Sequence, residues 1–240
     1  RKKLISDSEI TPDQLVMTAT PIPRTTALSI YGDLEISSIN ELPPGRKPIV
    51  SHLYSGLKKD NEKVFEKCLK HLEADSQIFV VCPYIEESES SDIQAAEKVF
   101  LEYSKKFINY KVVLLHGKMS YEEKEKIMRS MQDGSIDILV STVVIEVGID
   151  IPNASLMIIE SAERFGLNQL HQLRGRVGRG EKQSECIFHI TNKKSLSTIS
   201  EEGVKRLEAI STMSDGFKLS EIDLEIRGEG KVTGKNQSGR

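Results

Sequence analysis

The stretch Gln172-Leu173-Arg174-Gly175-Arg176-Val177-Gly178-Arg179-Gly180 sets arginines between glycines. Residues 164–182 hold four Arg and one Lys against one Glu, a local charge of +4 in a chain whose formal net charge is -3. Each guanidinium is a planar fork that grips phosphate or carboxylate oxygens in pairs, and glycine lets backbone approach a ligand closely. That combination suits a polyphosphate, whose charge must be neutralised at short range. It also suits a solvated basic helix end. Position favours the first: the run lies between the apolar segments 156–159 and 186–188. A turn between two buried strands is expected at the sheet's carboxyl edge, where α/β folds bind ligands.

The elements that must hold this turn follow from periodicity. Ile78–Cys82, Val112–Leu115, Ile138–Val140, Leu156–Ile159 and Cys186–Phe188 are continuous apolar runs, as strands covered on both faces require. Between them lie helical stripes: Val64, Phe65, Cys68, Leu69 and Leu72, then Ile93, Ala96, Val99, Phe100, Tyr103 and Phe107. A third helix opens at Ser120 with Glu123 three residues on, a capping box. Strand and helix in alternation predict right-handed βαβ units, hence an α/β fold with a mostly parallel sheet and helices on both faces. Beyond about residue 195, Ile199, Leu207, Ile210 and Met213 predict one helix. Leu219, Ile222 and Ile226 predict a second, ended by Gly228 and followed by a glycine-rich loop. Leu42-Pro43-Pro44-Gly45-Arg46 is the best boundary signal.

Composition excludes other classes. With 240 residues, 38% hydrophobic and 29% charged, the chain is globular rather than disordered or fibrous. Its apolar runs stop far short of the roughly 20 residues that span a bilayer. Cys68, Cys82 and Cys186 are odd in number and far apart, against a disulfide framework or a zinc site. A chain opening on Arg1 and closing on Ser238-Gly239-Arg240 reads as a piece of a longer protein.

The motifs also carry a family resemblance. Gln172-x-x-Gly175-Arg176-x-x-Arg179 resembles motif VI of superfamily 2 helicases, Thr142 through Gly148-Ile149-Asp150-Ile151-Pro152 resembles motif V, and Thr18-Ala19-Thr20 resembles motif III. Met17–Thr25, Tyr31–Leu34 and the linker Leu42–Pro48 narrow the resemblance to the RecG family of branched-DNA translocases. Asp215-Gly216-Phe217, Asp223–Gly228 and Gln237–Gly239 are similar to the TRG motif of that family and of the Mfd family of transcription-repair coupling translocases. The resemblance implies the end of a first RecA-like domain and linker at 1–47, a second RecA-like domain at 48–194, and a TRG helical hairpin with loop at 195–240.

By resemblance, Arg176 and Arg179, with Gln172, act on the ATP γ-phosphate, while Gly148, Asp150 and Gly175 shape the nucleotide pocket. Asp150 is otherwise a turn residue before Pro152. Ser141, Thr142, His116, Gly117 and Lys118, with Arg227 and Gln237 in the tail, would grip DNA phosphates without sequence preference. For His116 a structural hydrogen bond is an equal alternative, and the tail is otherwise a brace on the sheet. Thr18 and Thr20 would couple nucleotide state to DNA, or be hydroxyls satisfied by backbone. No segment fits G-x-x-x-x-G-K-[ST]. ATP and Mg²⁺ would therefore be bound mainly by the first RecA-like domain, and the chain alone is expected to be inactive. The implied partners are branched double-stranded DNA, that first domain and a single-stranded DNA-binding protein, without a membrane, in a bacterial cytoplasm. The remaining readings are an Mfd-type translocase and a non-catalytic RecA-like binding module. The pair Arg176 and Arg179 weighs against the last, since no structural need calls for both.

Overall fold

A computed structural model describes residues 46–83, 89–142, 151–190 and 196–233, with the single residues 15, 37 and 39. Thr18, Thr20, Gly148, Asp150 and Gln237 and residues 42–45 of the linker lie outside the described residues. The elements run β1 (Val50–Tyr54), α1 (Lys58–Glu73), β2 (Gln77–Cys82), α2 (Glu89–Lys106), β3 (Val112–Leu115) and α3 (Tyr121–Gln132). Then follow β4 (Ile138–Thr142), β5 (Ala154–Glu160), α4 (Leu167–Arg174), β6 (Glu185–His189), α5 (Glu201–Thr212) and α6 (Gly216–Thr233). The six strands form one sheet in the order β1-β6-β5-β2-β4-β3, every neighbouring pair parallel. This is the expected α/β architecture.

The apolar runs are continuous because alternate side chains serve opposite faces. Phe79, Val81, Leu139, Met157, Ile159, Cys186 and Phe188 pack under residues of α3, α4, α5 and α6. Ile78, Val80, Cys82, Ile138, Val140, Leu156, Ile158 and Ile187 pack under α1 and α2. Truncating a fully buried member such as Phe188 to Ala would cost about 3–5 kcal/mol. All three cysteines are free and buried, and burial pushes the Cys186 thiol up to about 12. The Ser120–Glu123 capping box forms at the start of α3, Ser120 N–H donating to Glu123 Oε2 at 2.8 Å and Glu123 N–H to Ser120 Oγ at 3.2 Å.

Four local features depart from the expected pattern. Strand β1, Val-Ser-His-Leu-Tyr, is an edge strand covered only in part, so it lacks a continuous apolar run. Within the α1 stripe, Val64, Cys68 and Leu72 are buried but Leu69 is exposed. The last helix does not end at Gly228; it continues through Gly230 to Thr233. Glycine stops a helix by adopting a left-handed conformation, and among the described glycines only Gly134 and Gly178 have positive φ. The preceding helix starts at Glu201, with Ser200 Oγ accepting from Gly203 N–H at 3.2 Å, so Ile199 lies just before it.

Candidate functional site

The arginine-glycine turn lies at the amino edge of the sheet, not at the carboxyl edge expected from its place between two strands. A Cβ on Gly178 would meet Ile49 Cγ1, just before β1, at 3.0 Å and Ser184 Cβ, just before β6, at 3.7 Å. A Cβ on Gly180 would stand 2.3 Å from the carbonyl oxygen of Pro152, just before β5. Strand β5 delivers the chain to the carboxyl edge at Glu160. A short 3₁₀ turn at Ala162–Arg164 and α4 then carry it back antiparallel to the strand, so residues after Arg174 emerge where β6 begins. The same geometry seats the turn against Pro152, two residues after Asp150 in the sequence.

Within the turn the arginines differ. Arg176 is half-buried, and no hydrogen bond or ion pair of its guanidinium occurs among the described residues. Arg179 and Gln172 are exposed. Gly175 caps α4, its N–H donating to the His171 carbonyl at 3.1 Å. Arg174 turns the other way and is 5% exposed. Its Nη1 donates to the carbonyls of Ile210 at 2.9 Å and Met213 at 2.6 Å, and its Nη2 to Ser214 O at 3.3 Å and His171 Nδ1 at 2.9 Å. One buried cation thus satisfies the carbonyls at the end of α5, which have no partner within their own helix. Burial lowers the pKa of Arg174. Burial, reinforced by the Arg174 charge, also holds His171 below the usual histidine range, consistent with a neutral ring accepting at Nδ1.

The turn is anchored at both ends. Arg46 donates from Nε to Gly178 O at 3.0 Å and from Nη2 to Gly175 O at 3.3 Å and Val177 O at 3.4 Å. Gln183 Nε2 donates to Pro48 O at 2.7 Å. Lys182 Nζ donates to Ala74 O, Asp75 O, Ser76 Oγ and Asn153 Oδ1 at 2.7–3.1 Å.

The other predicted residues gather at the opposite edge. Ser141 pairs in register with Leu115 and Val81, and Thr142 with Cys82, so Ser141, Thr142 and the segment His116-Gly117-Lys118 come together at the carboxyl ends of β3 and β4. Ser141 and Thr142 are 0% and 1% exposed. Their hydroxyls and His116 Nδ1 have no hydrogen-bond partner among the described residues. The expected surface grip of Ser141 and Thr142 is thus not presented, because both hydroxyls point into protein. Gly117 and Lys118 are exposed, and Lys118 has no partner among the described residues. Strands of four to seven residues put the two edges roughly 13–23 Å apart. Arg227 lies in α6.

The carboxyl edge holds a further network. Glu160 accepts from Tyr103 Oη at 3.2 Å and from His189 Nδ1 at 2.7 Å, while His189 Nε2 donates to Asn61 Oδ1 at 2.8 Å. Burial opposes a charged His189, but the Glu160 carboxylate outweighs it and raises the His189 pKa. These groups border a cavity of about 410 Å³ between α1 and α2, also lined by Asp92, Lys98 and Arg164.

The model of the helicase conserved C-terminal domain matches residues 60–181. The chain belongs to that family. Its relatives include the ATP-dependent DNA helicase RecG of Aquifex aeolicus (strain VF5), 48% identical over all of this chain and 30% of the relative. RecG of Bacillus subtilis (strain 168) is 46% identical over all of this chain and 34% of the relative. The chain thus spans about a third of the length of these relatives. Among solved structures, RecG bound to a three-way DNA junction matches with a TM-score of 0.73 and 41% identity, covering 93% of this chain and 28% of that one. Domain 2 of the DEAD-box helicase Mss116p bound to an RNA duplex shares the fold, with a TM-score of 0.51 at 16% identity over 69% of this chain and 61% of that one.

Three features of this helicase C-terminal domain were not found from residue types. Arg174 sat in the arginine run, with nothing to show that it faces inward. Arg46 is one of two adjacent cations in a linker, with nothing in residue type to show what it holds. Glu160 did leave a signal, a carboxylate closing the apolar run Leu156–Ile159.

Proposed function

We propose that this chain is the C-terminal part of an ATP-dependent helicase that translocates on double-stranded DNA and remodels branched junctions. Residues 1–47 would close the first helicase domain and link it to the second, 48–194 would be the second, and 195–240 the TRG hairpin and loop. Support comes above all from Arg176, half-buried and with no partner for its guanidinium among the described residues, on a turn anchored at both ends. The RecG relatives are similar to the whole chain, and one solved relative is bound to a three-way junction.

Phosphoryl transfer leaves the protein mainly positioning and charge stabilisation to perform, and an arginine finger is worth about 10³–10⁵ in rate. Arg176 and Arg179 supply that charge to ATP held by the first domain, with Gln172, Gly175, Gly148 and Asp150 completing the pocket. When hydrolysis removes the γ-phosphate, the attraction that closes the cleft goes with it. Arg174 passes the movement on, because it ties the helix ending in the finger turn to the corner between α5 and α6. Lys118, His116 and Gly117 at the carboxyl edge, with Ser141 and Thr142 behind them, meet the DNA backbone, and Arg227 and Gln237 move along it. Thr18 and Thr20 couple the two. No group of three or more His, Cys, Asp or Glu side chains fit to hold a metal occurs among the described residues. Mg²⁺ is therefore assigned to no residue here. No helix among the described residues is long and apolar enough to cross a membrane, and the bacterial relatives favour a cytoplasmic location.

The test uses the intact protein with a forked duplex. Arg176→Ala should abolish DNA-stimulated ATP turnover while nucleotide affinity stays within about tenfold. Arg227→Ala or Gln237→Ala should keep turnover and lose fork remodelling. Near-normal turnover in Arg176→Ala would remove the finger role.

A further inference from the structure

Arg46 reaches across 129–132 residues of sequence to the arginine turn, and which carbonyls it takes matters. The Gly175 carbonyl belongs to the peptide plane that leads into Arg176, and the Gly178 carbonyl to the plane that leads into Arg179. Val177 O, also held, lies between them. These carbonyls follow the C-terminus of α4, where unpaired acceptors concentrate partial negative charge. Without a donor they would face an anionic ligand with the wrong sign and be free to rotate. A planar guanidinium holds them from Nε and Nη2 in a fixed mutual geometry, whereas an ammonium is a point charge on a flexible stem that does not set their directions in the same way. Two further contacts hold the same segment to the same turn: Gln183 Nε2 on Pro48 O at 2.7 Å, and Ile49 against the face of Gly178, where φ is +79°.

We propose that Arg46 is a positioning residue for the arginine finger: by gripping the peptide planes ahead of Arg176 and Arg179, it makes their aim depend on the segment that joins the two helicase domains. The inference rests on the finger role proposed above. A change in the path of the linker then redirects the finger without any side chain of the nucleotide pocket being touched. Movement between the domains feeds back on the rate of hydrolysis through Arg46.

The test is a double-mutant cycle in the intact protein, reading ATP turnover stimulated by a forked duplex. Displacing a catalytic group by about 1 Å can cost about 100-fold. Arg46→Lys should therefore lower kcat by about 10- to 100-fold, with KM for ATP within about threefold. The melting temperature should stay within about 2 °C of the wild type. In an Arg176→Lys background, the further loss from Arg46→Lys should shrink to less than about twofold, because residues acting as a unit are not additive. A normal kcat in Arg46→Lys, beside a severe loss in Arg176→Lys, overturns the inference and leaves the finger role standing. Full multiplicative loss in the double variant also overturns it, showing that Arg46 serves only the fold. Normal turnover in Arg176→Lys defeats the finger role, and this inference with it.

Discussion

Arg174 Nη1 lies 2.6 Å from the carbonyl oxygen of Met213, joining the last residue of one helix to the corner of a hairpin 39 positions further on. Replacing Arg174 by Lys keeps the charge but loses the fork, leaving some of the Ile210, Met213 and Ser214 carbonyls unpaired. Each buried acceptor left without a donor costs about 1–3 kcal/mol. Arg174→Lys should therefore lower stability in urea by at least about 1 kcal/mol. Amide exchange should speed up across α5 and the start of α6 while β5 stays protected.

The same contact carries a pH dependence. His171 accepts at Nδ1 from Arg174, and its pKa is lowered from 6.5, by burial first and then by the Arg174 charge. A histidine of this kind contributes stability that is present above its unfolded pKa and lost as pH falls through its lower folded value. His71, also lowered chiefly by burial, acts with the same sign. His189 acts oppositely: its pKa is raised, so its contribution is present below the unfolded value and lost as pH climbs through the folded one. Urea unfolding from pH 7.5 down to 5 should therefore show a loss that is smaller in His171→Gln than in the wild type. Equal losses would show that His171 does not titrate with folding.

Gly180 and Gly117 make a controlled pair. A Cβ on Gly180 would stand 2.3 Å from the Pro152 carbonyl oxygen, whereas one on Gly117 meets nothing within 4 Å. Gly180→Ala should destabilise by about 1–3 kcal/mol, as forced overpacking does, and should slow ATP turnover in the intact protein by unseating the turn. Gly117→Ala should stay within about 0.5 kcal/mol of wild type. Calorimetry and turnover on both variants check the pair.

Lys118 is an exposed lysine at the carboxyl edge with no partner among the described residues. If it meets a phosphate, Lys118→Ala should weaken duplex binding about equally for all sequences and reduce the slope of log affinity against log salt by about 1. A salt titration with two unrelated duplexes measures both.

Much of this arrangement was legible beforehand. Strands β2, β4, β5 and β6 announced themselves because Val80, Leu139 or Ile158 each sit in runs buried on both faces. Strand β3 did so through its apolar run although only Leu115 in it is fully buried, and the Ser120–Glu123 box is a local signal that needs no tertiary context. Strand β1 was not legible, since His52 and Tyr54 on a half-covered edge give no apolar run. The edge occupied by Arg176 depends on how far α4 carries the chain back, a distance that spacing alone does not fix. The roles of Arg174 and Arg46 depend on carbonyls brought from 36 and 129 or more positions away, and a carbonyl has no signature in residue type. Gly228 misled for a related reason: a stop requires a backbone angle, and the residue type only permits it.

The six strands pair side by side without a gap from β1 to β3, and that continuity has a mechanical meaning. Bending the body between the arginine turn at one rim and the lysine at the other would have to flex all six paired strands and the helices packed on both faces together. It therefore behaves as a stiff plate, able to swivel as a unit but not to fold across its middle. Compliance is left to its fittings, the strap of residues 46–49 on one side and the helical hairpin on the other.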